Sequence, residues 1–422
     1  MRKMKPSGVE WIGDIPQEWE IKKCFQMFDQ VKNRNTGMQE TNLLSLSYGK
    51  IVRKNINTTT GLLPESFDSY NIINSGDIVL RLTDLQNDHT SLRVGLAYEK
   101  GIVTSAYLTL RKKCNGTSSF FYYSLHTFDI IKGFYGMGSG IRQGLNWDSL
   151  KNLILPLPPI SEQQRIAEFL DRKCAEIDSI IAKTKATVEE YKALKQAVIT
   201  EAVTKGIRPD RPMKDSGVEW IGEIPQEWSK DKVFRVFSTI GSGTTPKSSD
   251  ESKYEGNINW IQSGDINGGI ITEVNNHLSI EAINKYSALR MYALPFIVIA
   301  MYGASIGNVS ISKIDSCVNQ ACCVLAEPKI NINYAFLSIK AAKNYLITKA
   351  VGGGQPNISQ DIVKSLWLPI PPLPEQKSIA DYLDHKCAEI DRLIAAKEQL
   401  LTELESYKKS VIYEYVTGKK EI

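Results

Sequence analysis

The chain has 422 residues, of which 42% are hydrophobic and 23% charged, a composition that indicates two or three folded domains and excludes a disordered protein. Its formal net charge of +4 is too small to indicate a partner by itself. No apolar run approaches the roughly 18 residues of a membrane-spanning helix, and no apolar stretch follows the basic N-terminus as in a signal peptide. Seven cysteines without a C-x-x-C pair indicate reduced thiols, so we expect a cytoplasmic protein.

A short segment near the N-terminus occurs twice in the chain. Residues 5–20 read KPSGVEWIGDIPQEWE and residues 214–229 read KDSGVEWIGEIPQEWS, so 13 of 16 positions are identical at an offset of 209. The segment is interrupted by Gly and Pro and is too short to form a domain. We predict an extended strap that packs on another part of the protein, and we assign residues 1–20 and 207–229 to the two straps, the second with its linker.

A variable region of ordinary domain size follows each strap. Short apolar runs separated by Gly, Asn and Asp clusters predict a mixed α/β domain over residues 21–154 and another over residues 230–367. We expect strands at residues 77–82, 107–110, 257–261, 296–300 and 321–325, and helices at residues 120–131 and 334–346. Residues 20–155 contain 16 Lys and Arg against 11 Asp and Glu, and residues 229–368 contain 13 against 10. These excesses of +5 and +3 indicate either basic domains or ordinary surface variation.

A long stretch with the helical period follows each variable region, at residues 155–206 and 368–422. Each opens with a proline-marked entry, and residues 155–178 match residues 368–391 at 16 of 24 positions with an offset of 213. Apolar residues then recur mostly three, four or seven positions apart, and Gly206 is placed to end the first helix. A helix of about 42 residues would be on the order of 60 Å long, too long for one face of a globular core.

The sequence therefore predicts an α+β fold class, with two mixed α/β domains and two long helices, each with an apolar seam, in a pseudo-twofold internal repeat. The residues predicted to form the apolar seam are Ile166, Leu170, Ile177, Ile181, Val188, Tyr191, Val198, Ile379, Leu383, Ile390, Ile394, Leu401, Leu404 and Val411.

Motifs of catalysis are missing from the sequence. It contains no G-x-x-x-x-G-K-[ST] phosphate-binding loop and no G-x-S-x-G nucleophile elbow, and its four histidines lack metal-ligand spacing. We therefore predict no catalytic or metal-binding residue and disfavour an enzyme.

The repeated segments resemble a known family. LPLPPISEQQRIAEFLDRKCAEID and LPIPPLPEQKSIADYLDHKCAEID, the doubled SGVEWIG strap and the helix ends VITEAVT and VIYEYVTG resemble the specificity subunit of type I restriction–modification systems over the whole chain. The resemblance implies two target-recognition domains that each read one half of a split DNA sequence. It also implies that the two long helices join these domains as an antiparallel coiled coil, which buries both apolar seams, sets the spacer and docks modification subunits, expected to be two. It also implies restriction subunits as partners, with S-adenosylmethionine, ATP and Mg bound by partner subunits and no cofactor bound by this chain.

Residues that contact DNA are harder to select. Base reading requires Arg, Lys, Asn or Gln on a rigid surface, and phosphate contacts require Lys, Arg, Ser or backbone N–H groups. On this basis we select Arg53, Lys54, Arg81, Arg93, Arg142 and Gln143 in the first domain, and Thr245, Lys247, Ser248, Lys253, Tyr302, Gln355 and Asn357 in the second. Ordinary solvated or turn-forming roles are the alternative for each. We interpret Glu162, Gln163, Glu375 and Gln376 as helix caps.

Two other functions remain open at this point. The chain could be a scaffold whose helices hold protein partners and whose domains do not touch DNA. It could also be an orphan specificity subunit that assembles but reads no site.

Overall fold

The computed structural model describes residues 2–57, 66–85, 92–137, 144–247, 249, 251–352 and 356–422. The chain divides into two compact units. Unit 1 consists of Met1–Lys185 and Glu398–Ile422, and unit 2 consists of Ala186–Lys397. Each unit therefore contains one strap, one variable domain and parts of both long helices.

The strands and helices of unit 1 follow the predicted order. Its strands are β1 (Met4–Pro6), β2 (Asp14–Pro16), β3 (Glu20–Lys23), β4 (Phe28–Gln30), β5 (Leu44–Ser47), β6 (Lys50–Arg53), β7 (Asn71–Ile73), β8 (Ile78–Leu80), β9 (Val94–Leu96), β10 (Gly101–Val103), β11 (Leu108–Lys112) and β12 (Ile154–Leu157). Its helices are α1 (Cys24–Met27), α2 (Ser118–Ile130), α3 (Trp147–Leu150) and the first part of α4 (Ile160–Lys205). A 3₁₀ turn covers Gly133–Gly136.

The strap of unit 1 is a two-stranded antiparallel ribbon of β1 and β2, followed by β3, which pairs with β12. The ribbon turns through Gly8 and Gly13, whose φ angles of +71° and +66° favour glycine. Ile15 and Trp19 are buried in the same core as the sheet and α4. The stretch assigned to the scaffold helix from residue 155 thus begins as a strand, because prolines at this entry cannot continue a helix.

The variable domain of unit 1 is built on an antiparallel sheet with strand order β4-β11-β8-β9. The hairpin β5–β6 and the pair β7–β10 form two separate two-stranded sheets in the same domain. Helix α2 packs on the sheet through Phe120 and Phe121, which are fully buried. The predicted helix and both predicted strands of this domain are therefore confirmed.

Unit 2 repeats this order with a different domain. Its strands are β13 (Met213–Asp215), β14 (Glu223–Pro225), β15 (Ser229–Lys232), β16 (Phe237–Ser242), β17 (Ile258–Ile261), β18 (Ile270–Ile271), β19 (His277–Leu278), β20 (Phe296–Ala300), β21 (Val309–Ser312), β22 (Ser316–Val318), β23 (Cys322–Pro328) and β24 (Trp367–Ile370). Its helices are α5 (Val233–Val236), α6 (Ile280–Lys285), α7 (Ile332–Ala341), α8 (Lys343–Thr348), α9 (Gln360–Ser365) and the first part of α10 (Leu373–Val416). The 3₁₀ turns are Glu251–Lys253 and Ser263–Asp265.

The scaffold of unit 2 pairs β13 with β14 and β15 with β24, as in unit 1. Its domain differs, because a sheet of order β16-β23-β20-β21-β18 is accompanied by a second sheet of order β19-β17-β22. The second sheet includes the parallel pair β17–β22. The helix predicted at residues 334–346 is two helices, α7 and α8, which meet at Ala342.

Helices α4 and α10 contain 46 and 44 residues and run antiparallel within each unit. In unit 1, Asp178 pairs with Lys408, and Lys185 approaches Glu405. In unit 2, Lys195 pairs with Asp391. Gly206 and Gly418 follow the helix ends with φ angles of +79° and +72°, so the predicted stop at Gly206 is confirmed.

The predicted seam residues differ in burial. Eight are buried, namely Ile166, Leu170, Ile177, Val188, Ile379, Leu383, Ile390 and Val411. Six are half-buried, namely Ile181, Tyr191, Val198, Ile394, Leu401 and Leu404. Two paired helices leave part of each seam residue facing outward unless another element covers it. Among the residues that the structure describes, no helix has the length and apolar character that crossing a membrane requires.

Candidate nucleic-acid interface and its scaffold

A buried polar cluster joins the strap of unit 1 to the start of α4. The indole N–H of Trp19 donates to Glu162 Oε2 at 3.0 Å, and Arg2 Nη2 donates to the same oxygen at 2.8 Å. Burial alone would raise the pKa of Glu162, but the hydrogen bonds from Arg2 and Trp19 outweigh it and hold the pKa below its ordinary value. The strap is thus fixed to the helix by a charged acceptor that is only 7% exposed.

The same cluster occurs in unit 2. The indole N–H of Trp228 donates to Glu375 Oε2 at 3.0 Å, and Arg211 Nη1 lies 2.7 Å from Glu375 Oε1. We call these two groups the Trp–Glu–Arg clusters. Because the three residue types recur at equivalent positions with the same Trp–Glu distance, the two straps share one attachment chemistry.

A glutamine next to each cluster joins the long helix to the domain. Gln163 Nε2 donates to Pro158 O at 2.8 Å, and its Oε1 accepts the backbone N–H of Thr117 at 3.1 Å. Gln376 donates to Pro371 O and accepts the backbone N–H of Asn331, both at 2.8 Å. We predicted helix caps at these glutamate and glutamine positions. The contacts observed are different, because the glutamates bind the strap and the glutamines bind the domain and the proline entry.

Loops collect at one end of the main sheet in each unit, and we call this region the loop end. In unit 1 the loop end contains the loops that follow β4 and β8 and the loops that precede β9 and β11. The strand pairing places the last residues of β4 and β8, Gln30 and Leu80, at the same end of the sheet as the first residues of β9 and β11, Val94 and Leu108. The chain after β4 continues the sheet, since Val31 N donates to Thr109 O at 2.8 Å. Arg81 and the run from Lys32 to Arg34 bring basic side chains to this end.

The loop end of unit 2 contains the loops that follow β16 and β20 and precede β21 and β23. Met301 N donates to Ala321 O, and Ile358 N donates to Met301 O, both at 2.8 Å. These bonds place Tyr302 beside the segment that contains Asn357. Thr245 meets Gln320 through its hydroxyl, so the loop after β16 lies at the same end.

Comparison with known proteins identifies the family of the chain. A family model described as the type I restriction modification DNA specificity domain matches twice, over residues 16–190 and 225–406. The chain belongs to the family of type I restriction–modification specificity subunits.

Relatives and solved structures agree with this family. The chain is 25% identical to the putative type I restriction enzyme MjaX specificity subunit of Methanocaldococcus jannaschii, over 97% of this chain and 95% of that protein. It is 24% identical to the MjaVIII specificity subunit of the same organism, over 96% and 93% of the two chains. A chain from a structural study of complex assembly and conformational transition of the type I R-M system superposes with a TM-score of 0.73, at 17% identity, over 96% of this chain and 99% of the other. The HsdS subunit from Thermoanaerobacter tengcongensis gives 0.53 at 16% identity, over 96% and 98%.

Membership of this family gives the chain its general function. It is the specificity subunit that recognises the DNA target within a restriction–modification complex, and it is not the catalytic subunit. Its partners are DNA and the methyltransferase and restriction subunits. The predicted family, the α+β coiled-coil fold and the predicted function in DNA recognition are confirmed.

The structure brings several of the residues predicted to contact DNA to the two loop ends. These are Arg81 in unit 1 and Thr245, Lys247, Tyr302 and Asn357 in unit 2. Two hydrogen bonds hold the loop that contains Thr245 and Lys247. Tyr254 Oη donates to Pro246 O at 2.7 Å, and Lys247 N donates to Tyr286 Oη at 3.4 Å. A contact between any of these five side chains and DNA stays a prediction.

Two selected residues are buried, and their selection is corrected. Arg93 is 0% exposed, and its guanidinium donates to the carbonyl oxygens of Arg81 and Thr83 at 3.1 and 2.8 Å. Lys253 is 1% exposed and pairs with Glu281. Both side chains organise loops from inside the domain, because a buried cation is stable only when carbonyl or carboxylate oxygens surround it.

The remaining selected residues lie elsewhere. Arg53 and Lys54 are exposed at the end of β6, outside the loop end, and Arg53 Nε donates to Glu99 Oε1 at 2.7 Å. Arg142, Gln143, Ser248 and Gln355 lie outside the described residues. Lys32, Asn33 and Arg34, which were not selected, are also exposed at the loop end of unit 1.

Proposed function

We propose that each loop end reads one half of a bipartite DNA sequence, and that the length of α4 and α10 sets the unread spacer. The observation that carries this proposal is the contrast within each unit between a shared scaffold and an unlike domain. Both Trp–Glu–Arg clusters contain the same residue types and the same Trp–Glu distance, whereas the main sheets have different strand orders and different loop residues. One scaffold with two unlike readers suits a target with two unlike halves.

The chemistry of the loop ends supports contact with nucleic acid. Arg81 and Lys32 in unit 1 and Lys247 in unit 2 supply cations for phosphate groups. Thr245, Tyr302 and Asn357 supply hydrogen-bonding groups for base edges or the sugar–phosphate backbone. The hydrogen bonds that hold these loops reduce the entropy lost when they bind.

We further propose that two modification subunits dock on this chain, one on each unit. Large apolar side chains are exposed at equivalent positions of both units. Unit 1 exposes Phe25, Ile160, Ile180 and Tyr407, and unit 2 exposes Phe234, Leu373, Leu393 and Leu194 at the matching places. Exposed apolar area is costly in water, and its repetition on both units suits two copies of one partner.

The partner subunits complete the proposed enzyme. We propose that the modification subunits bind S-adenosylmethionine, that the restriction subunits bind ATP and Mg, and that this chain binds no cofactor. Among the described residues, no group of three or more His, Cys, Asp or Glu side chains is arranged to hold a metal ion. We propose the cytoplasm as the compartment of the assembly.

The DNA proposal is tested by mapping methylation in a host that carries this chain with its modification subunits. We expect one motif of two short defined sequences separated by a fixed unread spacer. The purified complex should bind that motif with an affinity that falls steeply as the salt concentration rises. A protein-only scaffold would give no binding, and an orphan subunit would give no motif, so either result would overturn the proposal.

The docking proposal is tested by measuring the stoichiometry of the complex by native mass spectrometry. Phe25→Ala and Phe234→Ala should each weaken the docking of one modification subunit and leave the other bound. Tyr48→Ala is the matched control, because Tyr48 is an aromatic residue with 82% exposure and no apolar equivalent in unit 2. Equal losses for all three variants, or no loss for any, would contradict this surface.

A further inference from the structure

We propose that residues 32–39 form the base-reading loop of unit 1, with Asn33 and Gln39 as base readers and Asn35 as the residue that positions them. The chemical target is the major-groove edge of an A·T pair in one half of the DNA sequence. This inference rests on the proposed function, and it assigns the DNA recognition proposed for unit 1 to one loop.

The position of the loop supports the assignment. It follows β4 in unit 1, as residues 243–247 follow β16 in unit 2, and both strands begin with a buried phenylalanine, Phe28 and Phe237. These phenylalanines are 209 residues apart, which is the offset of the two straps. The loop after the first strand is therefore the same structural position in both readers, although the two loops have no sequence in common.

The loop is held in shape from inside. Asn35 is 0% exposed, and its Nδ2 donates to Glu40 O at 2.9 Å while its Oδ1 accepts the backbone N–H of Glu40 at 2.9 Å. The backbone N–H of Asn35 donates to Tyr70 O at 2.9 Å. The buried Asn35 side chain thus holds the loop to Glu40, and the Asn35 backbone holds it to the segment that contains Tyr70.

The tip of the loop has a second anchor. Gly37 N donates to Asp68 Oδ1 at 2.6 Å, and Met38 N donates to Asn35 O at 3.0 Å. Hydrogen bonds from the Ser66 hydroxyl and then from the Gly37 N–H lower the pKa of Asp68, which keeps it a charged acceptor. Gly37 and Met38 have φ angles of +75° and +52°, so the chain turns sharply between Asn33 and Gln39.

The exposed side chains of this fixed loop have the chemistry of base recognition. Asn33 and Gln39 carry primary amides, which form two hydrogen bonds with the N6 and N7 atoms of adenine. Lys32 and Arg34 are exposed beside Asn33 and supply positive charge for phosphate groups. A loop with fixed backbone and exposed amides loses little conformational entropy when it enters the groove.

The test uses the complex of the full chain with its modification subunits and the motif that methylation mapping defines for the wild type. Asn33→Ala and Gln39→Ala should each reduce binding to that motif by about 5- to 150-fold, the range for one lost bidentate contact, without changing binding to unrelated DNA. The slope of affinity against salt concentration should not change, because no phosphate contact is lost. Methylation mapping of the variants should show relaxed selection at one A·T position in one half of the motif.

Asn35→Ala separates positioning from simple support. We expect the same loss of selectivity with an unchanged salt slope, and partial rescue in Asn35→Asp, which keeps the acceptor for Glu40 N. Asn74→Ala is the matched control, because Asn74 is exposed before β8 at the opposite end of the sheet. Near-ultraviolet circular dichroism confirms that each variant is folded.

Two results overturn the inference, and they are distinguishable. If the wild type shows a split motif and salt-dependent binding while Asn33→Ala and Gln39→Ala retain full selectivity, the loop assignment fails and the proposed function stands. If the wild-type complex neither binds DNA nor yields a motif, both fail.

Discussion

Units 1 and 2 share one scaffold chemistry but differ in the domain that the scaffold carries. The distance from the indole nitrogen to the glutamate oxygen is 3.0 Å in both Trp–Glu–Arg clusters. The glutamine after each glutamate makes the same two links. The domains have main sheets of order β4-β11-β8-β9 and β16-β23-β20-β21-β18. Attachment is therefore repeated residue by residue, whereas the surface proposed to read DNA is not.

The scaffold itself differs at two equivalent positions. Tyr415 of unit 1 packs against Phe169 with the rings tilted and their centroids 4.4 Å apart, whereas unit 2 has Ala202 and Tyr382 at these positions and a groove of about 550 Å³ beside them. A further difference lies in the helix that follows the residue bound by each of these glutamines. Thr117 is bound by Gln163 and Asn331 by Gln376, and at the same distance along the chain after them unit 1 has His126 where unit 2 has Lys340. These differences make the comparison between units testable.

The largest effect is expected where the attachment is broken. Glu375→Ala leaves Arg211 and Trp228 without their buried acceptor, and we expect the free energy of unfolding to fall by about 3–5 kcal/mol. Glu162→Ala should cost less, about 2–3 kcal/mol, because the Arg2 side chain is 17% exposed against 9% for Arg211 and gains more from water. Hydrogen exchange measured by mass spectrometry assigns each loss to its unit.

The outer partners of the same arginines provide the control. Glu18 and Glu227 are about half exposed, so Glu18→Ala and Glu227→Ala should each cost less than about 1 kcal/mol. Equal losses in the inner and outer variants would show that the glutamates of α4 and α10 are ordinary surface charges.

The sequence predicts the scaffold far better than the domains. The periods of α4 and α10, the proline entries and the glycine ends are local signals, and the repeat shows each of them twice. The antiparallel pairing of α4 with α10 followed from the family resemblance, and the helix lengths agree with it because a single long amphipathic helix cannot bury its seam alone. The second sheet of unit 2 was not predicted, since β19 contains only two residues and β17 pairs in parallel with the distant strand β22.

The site was harder to predict for a physical reason. Arg93 and Lys253 look like surface cations in the sequence, and only the tertiary structure supplies the oxygens that allow their burial. Glu162 meets Trp19 across 143 residues, so no local pattern reports the bond. The repeat could have indicated this bond, because the tryptophan of the strap and the Glu-Gln pair of the long helix are both present in each copy.

Low pH should lower the stability of unit 1 through His126, which unit 2 replaces with Lys340. Burial, and to a lesser degree the charge of Lys408, lowers the pKa of His126 to about 4. The unfolded imidazole binds its proton near pH 6.5, so stability is retained above pH 6.5 and lost as the pH falls toward 4. The loss is about 3 kcal/mol at the low end.

The variant His126→Gln isolates this contribution. Urea unfolding at pH 7 and at pH 4.5 should show a smaller loss on acidification in the variant than in the wild type. His277→Gln, in β19 of unit 2, is the control for the substitution itself. If His126→Gln loses as much stability as the wild type, then other groups cause the acid sensitivity.

Filling the groove of unit 2 should make the two units more alike. Ala202→Tyr places a phenol beside Tyr382, as Tyr415 lies beside Phe169, and we expect about 0.5–1.5 kcal/mol of added stability from the aromatic pair. Tyr415→Ala is the reverse change and should destabilise unit 1. Thermal unfolding measures both, and a loss of stability in Ala202→Tyr would show that the groove does not accept the ring.

The smallest effect concerns the charges that lie in the helix seam. Lys195 and Lys408 occupy equivalent seam positions, and their ammonium groups lie 2.6 and 2.5 Å from Asp391 and Asp178. Double-mutant cycles with alanine should give coupling free energies of about 0.2–1 kcal/mol for each pair, because one partner of each pair remains substantially exposed. The pair Lys185–Glu405 is longer, at 3.9 Å, and more exposed, so its coupling should be close to zero.

Lysine in a seam costs stability relative to leucine, yet it favours the one antiparallel register in which an aspartate lies opposite. Lys195→Leu should therefore unfold at a higher urea concentration while the helix pair becomes less uniform, which disulfide trapping between cysteines introduced on α4 and α10 would detect as additional registers.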